Sequence, residues 1–338
     1  MIGVTVRVPA KLNLQLAVGP RRADGYHDLV TVFHAVSLFD EVTVVPAERD
    51  GVAVSGEGAD RVPGGRDNLA LRAVAALRAV MPRGAACRAG VHVTITKRIP
   101  VAAGLAGGSA DAAAALVACN ELWGGGLSQD QLAEVAARVG SDVAFALLGG
   151  TAVGRGRGER LTPALAPATA YHWVLAFADG QLATPEVYAA LDRLRAAGAA
   201  GSAGSVGGAG SGPAERLTGR KGPKGPDRAG AGDPDLDAGL MSALRSGEAR
   251  LVGRALSNDL QQAALSLFPP LRKTLAAGLE LGALGALVAG SGPTCVFLAA
   301  SADRALDLAV SLSGAGVCRS VARVTGPVPG AVVVPAAK

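Results

Sequence analysis

Val101-Ala102-Ala103-Gly104-Leu105-Ala106-Gly107-Gly108-Ser109-Ala110-Asp111 decides how the rest of this chain is read. A β-branched run, Val91 to Thr96, precedes it, and an alanine-rich run from Ser109 to about Leu122 follows, so the segment reads as a glycine-rich loop between a strand and a helix. Three glycines in five positions let the backbone come close to a ligand and turn its N–H groups toward negative charge. The helix N-terminus beyond adds its positive dipole end, and a phosphate site is the physical expectation. A Walker-type P-loop is excluded, because it needs Lys and then Ser or Thr after its last glycine, and here Gly108 is followed by Ser109 and Ala110. A dinucleotide fingerprint fails too, since no G-x-G-x-x-G fits these glycines. The plainer reading is a turn whose glycines serve close packing.

Upstream, short β-like runs alternate with turn signals: Val4 to Val8, Asn13 to Val18, a break at Pro20 to Gly25, then Leu29 to Val36 and Glu41 to Val45. The spacing of Leu69, Ala73, Ala76, Leu77 and Val80 predicts a helix from Asn68 to Met81 with Asn68 as its cap. Downstream, helices are expected over Gln129 to Val139, Pro234 to Arg245, Glu248 to about Ala264 and Ala302 to Leu312. Apolar runs Ala286 to Ala289 and Cys295 to Ala300 flank the turn Gly290-Ser291-Gly292-Pro293, and a last strand is expected over Cys318 to Val324. Ala196 to Gly232 holds 12 glycines in 37 residues and almost no large apolar side chain, so a disordered insertion is expected there.

With 338 residues and 49% hydrophobic content the chain can bury the cores of two domains, which excludes a disordered protein. Of the net charge of +5, the 196–232 segment carries +3 (five basic residues against two acidic), so no polyanion-binding surface is left and no nucleic-acid partner is expected. The cysteines Cys87, Cys119, Cys295 and Cys318 have neither metal-site nor disulfide-framework spacing and read as reduced core residues. Leu281 to Ala302 is uncharged over 22 residues, but the Gly290 turn splits it into two short strands rather than a membrane span. Met1 leads directly into Val4, Val6 and Val8 with no leader-like pattern, and a cytoplasmic location is expected. Oligomeric state is not legible.

Asp111 in the first turn of its helix is favoured by the dipole with or without a function. Lys11, in Pro9-Ala10-Lys11-Leu12-Asn13-Leu14, is a lone charge in a strand-like run and could mark a solvated face. His27 could be a core histidine, and Gly290 to Thr294 a simple β-turn. Taken together, Pro9 to Leu14, Pro100 to Asp111 and Gly290-Ser291-Gly292-Pro293-Thr294 resemble the three motifs of the GHMP kinases in their usual order. Arg22-Ala23-Asp24-Gly25-Tyr26-His27 and Ser257-Asn258-Asp259-Leu260 are similar to signatures of one branch, which phosphorylates a cytidine-diphosphate-linked sugar alcohol. The resemblance runs from about Val6 to Val324, apart from the insertion.

It implies an α+β, two-domain fold: an N-terminal ribosomal protein S5 domain 2-like α/β domain over 1–163 that binds ATP, and a C-terminal ferredoxin-like α+β domain over 164–330. It implies an ATP-dependent kinase, using Mg2+, that phosphorylates the 2-hydroxyl of a cytidine-diphosphate-linked methylerythritol in isoprenoid precursor synthesis. Asp111 becomes the catalytic carboxylate with Lys11 beside it, an ammonium expected to lower the Asp111 pKa. The ATP site is implied at Pro100, Val101, Ala102, Ala103, Gly104, Leu105, Ala106, Gly107, Gly108 and Ser109, with Asn68 and Lys97 along the nucleotide. The substrate site is implied at Asn13, Tyr26, His27, Thr184, Tyr188, Gly290, Ser291 and Gly292, with Tyr26 and Tyr188 sandwiching the cytosine. No protein ligand of magnesium is implied. Ala106 and Ala110 depart from the Gly and Ser that many members carry at these positions; Ala106 restricts the backbone, and Ala110 leaves Ser109 as the hydroxyl of the loop. A kinase of homoserine, mevalonate or a sugar, and a non-catalytic nucleotide-binding homologue, are the alternatives.

Overall fold

The computed structural model describes residues 3–81, 87, 89–165, 169–203 and 233–335. Its first sheet is built on two long antiparallel strands, β1 (Val4–Arg21) and β2 (His27–Ala47). The sequence suggests two short runs in each. Register shifts between Pro9 and Ala10, Asn13 and Gln15, and Val18 and Arg21 instead absorb the irregular spacing and keep each strand continuous. On the edge of β2 that β1 leaves open, β4 (Gly90–Lys97) pairs with its C-terminal end and carries β3 (Gly51–Gly56), while β5 (Thr151–Gly156) pairs with its N-terminal part and carries β6 (Arg160–Pro163).

Two strands from late in the chain join this sheet. β8 (Ser257–Asn258) pairs in parallel with Gln15 and Leu16, and β12 (Val332–Val334) pairs with Thr5 to Arg7. The second sheet has β7 (Tyr171–Phe177), β9 (Gly285–Val288), β10 (Cys295–Ala299) and β11 (Ser320–Gly326) in the order β11-β7-β10-β9, all antiparallel. Fourth-first-third-second is the ferredoxin-like order that the resemblance implies.

Helix Leu69–Val80 starts where expected: the Asn68 side chain accepts from Ala70 N at 2.9 Å. The helix after the glycine loop, Gly107–Leu122, is buried on nearly every side, and its run Ala112 to Ala115 is fully covered. Small side chains there let it lie close to β1 and β2 on one side and helix Leu69–Val80 on the other. One apolar core reaches from Leu12, Leu14 and Leu116 in the first layer to Trp173 and Leu298 in the second, and a smaller one lies under the outer helices of the second sheet.

The expected helix Glu248 to Ala264 is two helices, Ala249–Ala255 and Gln261–Leu267, interrupted by β8. Tertiary hydrogen bonds override the local pattern. Asp259 N donates to Leu16 O at 2.9 Å, and the Asn258 amide donates to Val288 O at 2.8 Å and Gly290 O at 2.7 Å. The helix expected from Pro234 starts at Ala238, because Asp237 caps it through Gly239 N and Leu240 N. Of the insertion expected at 196–232, the backbone of helix Thr184–Ala203 covers the beginning, and 204–232 lies outside the described residues. The uncharged Leu281 to Ala302 window is strand, turn and strand, and among the described residues no helix is long and apolar enough to cross a membrane.

Candidate active site

In β1, Leu12 and Leu14 point into the core, so Lys11 and Asn13 point to the opposite face by strand alternation. That face forms one wall of a cavity of about 340 Å³, whose other walls are the glycine loop, Lys97, Asp111, Asp142, Thr184, Tyr188, Gly290 and Ser291. Lys11 is therefore not on a solvated face. Its Nζ donates to Asn13 Oδ1 at 2.6 Å, Asn13 donates to Thr31 Oγ1 at 2.8 Å, and Thr31 donates to Gln15 O at 2.7 Å. This chain fixes the ammonium with few rotamers left to lose.

The loop is tied to this wall by its backbone: Lys11 N donates to Leu105 O at 3.2 Å. Gly104, at φ 77°, lies so close to the Gly290 turn that any side-chain carbon would collide with the Ala289 carbonyl oxygen. Gly290 in turn sits where a side-chain carbon would be 3.3 Å from Lys11 Nζ and 3.4 Å from Asn13 Oδ1. The two glycine turns and Lys11 thus close on one point. Ala102 (φ 55°) and Ala106 (φ 59°) hold the left-handed conformation that glycine adopts more easily, so the restriction expected at Ala106 is real backbone strain.

The carboxylates are distributed differently from the sequence expectation. Lys11 stands 3.9 Å from Asp142 Oδ2, not beside Asp111. Asp142 is in the first turn of helix Ser141–Leu148, and about a third of its side chain is exposed. Asp111 is 3% exposed; its Oδ2 accepts from Lys97 Nζ at 2.7 Å, and its Oδ1 has no hydrogen-bond partner. Burial pushes the Asp111 carboxyl up to about 8, with Lys97 opposing and Asp40 adding to the rise, the reverse of the lowering expected from a neighbouring ammonium. Burial lowers the Lys11 ammonium, and Asp142 partly restores it. Nothing local in the sequence singles out Asp142; only the fold brings it to Lys11.

Other expected site residues divide into two groups. Pro100 to Gly104, Ala106, Gly107, Gly108, Lys97, Asn13, Thr184, Tyr188, Gly290 and Ser291 all line the cavity. Leu105 buries its side chain in the core and offers only its carbonyl, and Asn68 is spent on its helix cap and on Pro63 O at 2.9 Å. Ser109, Gly292, Tyr26 and His27 stand off the wall. His27 Nε2 bonds Asp192 Oδ1 at 2.9 Å, and its ring tilts against Tyr188 with centroids 5.1 Å apart. Tyr26 is exposed, its ring 5.4 Å from the Arg157 guanidinium, which itself reaches the cavity. Leu16 and Leu29, outside the motifs, and Leu260, from the Ser257 to Leu260 signature, supply an apolar patch.

Residues 68–150 match the GHMP kinases N terminal domain, and residues 240–318 match GHMP kinases C terminal. A protein named 4-diphosphocytidyl-2-C-methyl-D-erythritol kinase from Thermobifida fusca (strain YX) is 52% identical over 98% of both chains. The chain belongs to the 4-diphosphocytidyl-2-C-methyl-D-erythritol kinase family. A relative of that name from Nocardia farcinica (strain IFM 10152) is 51% identical over 98% of this chain and 96% of its own. A crystal structure of 4-(cytidine 5'-diphospho)-2C-methyl-D-erythritol kinase superposes with a TM-score of 0.67 at 33% identity, over 95% of this chain and 98% of that one. A homoserine kinase from Cytophaga hutchinsonii ATCC 33406 shares the fold at 20% identity, with a TM-score of 0.69 over 98% of this chain and 97% of its own. The chain is thus a kinase of the GHMP fold, a family that uses ATP.

Proposed function

We propose that this chain transfers the γ-phosphate of ATP to the 2-hydroxyl of 4-diphosphocytidyl-2-C-methyl-D-erythritol, an isoprenoid-precursor step, in the cavity between the glycine loop and Lys11. The observation that carries it is the Lys11–Asp142 pair on the wall of the same cavity as the loop's backbone N–H groups. The names of relatives that match nearly the whole chain supply the acceptor. In this reading residues 1–163 hold the nucleotide, and 164–330 supply the Thr184, Tyr188 and Gly290 side of the site.

The helix N-terminus at Gly107 fits a polyphosphate, because no side chain caps it and its first backbone N–H groups are left for an anion. Among the described residues no three His, Cys, Asp or Glu side chains cluster as a metal site. Magnesium would then be held mainly by phosphate oxygens and water. When bound it would neutralise charge on the nucleotide phosphates.

Asp142 is our choice for the carboxylate that receives the proton, in place of Asp111. Both line the cavity, but Asp142 is about a third exposed and faces Lys11, whereas Asp111 is buried against Lys97. As the acceptor oxygen bonds to the γ-phosphorus and the bond to the ADP oxygen breaks, Asp142 takes the hydroxyl proton. Phosphoryl transfer relies on positioning and charge neutralisation, so a late proton transfer suffices. Lys11, fixed by Asn13, offsets the charge on the transferring group. Tyr188, backed by His27, offers a flat ring for the cytosine, with Tyr26 as the outer ring of the sandwich.

The test is ADP release with Mg-ATP and each of four acceptors: 4-diphosphocytidyl-2-C-methyl-D-erythritol, homoserine, mevalonate and galactose. Turnover confined to the cytidine compound is expected. Turnover on another alcohol would discard the cytosine site, and none on any would leave a non-catalytic nucleotide binder.

A further inference from the structure

Asp40 is absent from every motif in the sequence, yet it is fully buried on β2, on the same side of the strand as Val42 and Val44. A carboxylate among valines is costly unless its oxygens are fully engaged. They are. Asp40 Oδ1 accepts from Arg98 N at 2.6 Å and Ile99 N at 2.8 Å, and Asp40 Oδ2 accepts from Lys97 Nζ. Arg98 and Ile99 are the two residues that lead from β4 into Pro100, where the glycine loop begins.

Lys97 donates in turn to Asp111 Oδ2 at 2.7 Å, in the helix that follows the loop. One carboxylate, one ammonium and a second carboxylate therefore tie both ends of the loop together. The ammonium lies beneath the helix N-terminus, where a side-chain carbon on Gly107 would stand 3.1 Å from Lys97 Nζ. A cation is disfavoured there by the helix dipole, and the two carboxylates hold it in place. Lys97, Gly107 and Asp111 all line the cavity, whereas Asp40 does not. Asp111 Oδ1, buried and without a partner, also belongs to this cluster.

We propose that Asp40 is a positioning residue for the nucleotide phosphates, acting through Lys97 and the Arg98–Ile99 backbone without touching a ligand itself. It rests on reading the glycine loop as the phosphate-donor site. Asp40→Asn keeps the side-chain shape and an oxygen for the two backbone N–H groups, and it removes the charge that directs Lys97.

Calorimetric titration of the full-length protein with ATP, and separately with the cytidine alcohol, tests this. Asp40→Asn should weaken ATP binding by about tenfold and leave acceptor affinity within about twofold. In a Lys97→Met background the same substitution should add less than about twofold, because the two residues act as one unit. Equal losses for both ligands, or losses that multiply in the double variant, would overturn the proposal. Should Asp40→Asn not fold, Asp40→Asn/Lys97→Met removes one charge of each sign. Its ATP affinity then decides against that of Lys97→Met: equality supports the proposal, and a further loss overturns it. Wild-type protein that binds ATP but not the cytidine compound would fail the acceptor assignment and leave Asp40 to be judged on ATP alone. Wild-type protein that binds no ATP would sink both.

Discussion

Lys11 illustrates what a single strand position decides. In the sequence it is a lone charge between leucines; in the fold the same alternation that sends Leu12 and Leu14 into the core sends Lys11 and Asn13 into the cavity. Lys11 and Asp111 both line the cavity, but the motifs do not give their partners, because pairing depends on side chains 14 to 131 positions apart in the chain: Lys97 for Asp111 and Asp142 for Lys11. The two carboxylates are separable by substitution. Asp142→Asn should lower kcat by roughly 10²- to 10⁴-fold, the range for loss of a proton acceptor, and leave the fold intact. Asp111→Asn keeps an amide oxygen for Lys97, so the variant should retain most of kcat. Steady-state rates on both variants check this, and a reversed order would return the proton-accepting role to Asp111.

At the scale of elements, the strand–loop–helix around the glycines was the most legible part, since its glycine spacing and the alanine-rich run after it are local, although the helix starts at Gly107 rather than Ser109. The loop's strain and closeness were not. Gly104 reads as one of three flexible glycines, but it alone abuts the Ala289 carbonyl oxygen at positive φ. Gly104→Ala should therefore push the loop off the Gly290 turn, costing about 1–3 kcal/mol in stability and weakening binding of both substrates. Denaturant melts and KM values for each substrate would reveal it; a variant as stable as wild type would mean that the two turns do not press together. The broken helix at β8 is the complementary failure. Local pattern favours a helix through Asn258, and only the distant carbonyls of Val288 and Gly290 explain why the chain opens there.

At the scale of the whole molecule, the layering of two sheets follows from the resemblance and not from periodicity. Periodicity gives strands and helices but not the return of β8 and β12 to the first sheet. The two sheets meet at His34, which is fully buried, bonds Thr151 Oγ1 at 2.9 Å and lies edge-on to Tyr171 and Trp173. Burial pushes its imidazole from 6.5 down to about 3. The unfolded chain then takes up a proton before the folded one, so the stability that His34 contributes is present above pH 6.5 and is lost as pH falls toward 3. Thermal melts of wild type should fall more steeply across that interval than those of His34→Gln, and parallel curves would show that this junction does not titrate.

The central claim concerns where the phosphate goes, and phosphorus NMR of the wild-type reaction with ATP and 4-diphosphocytidyl-2-C-methyl-D-erythritol reads it directly. One new phosphomonoester signal should grow in step with ADP while the cytidine diphosphate signals persist. Release of inorganic phosphate alone, or loss of the diphosphate linkage, would contradict transfer to the acceptor hydroxyl.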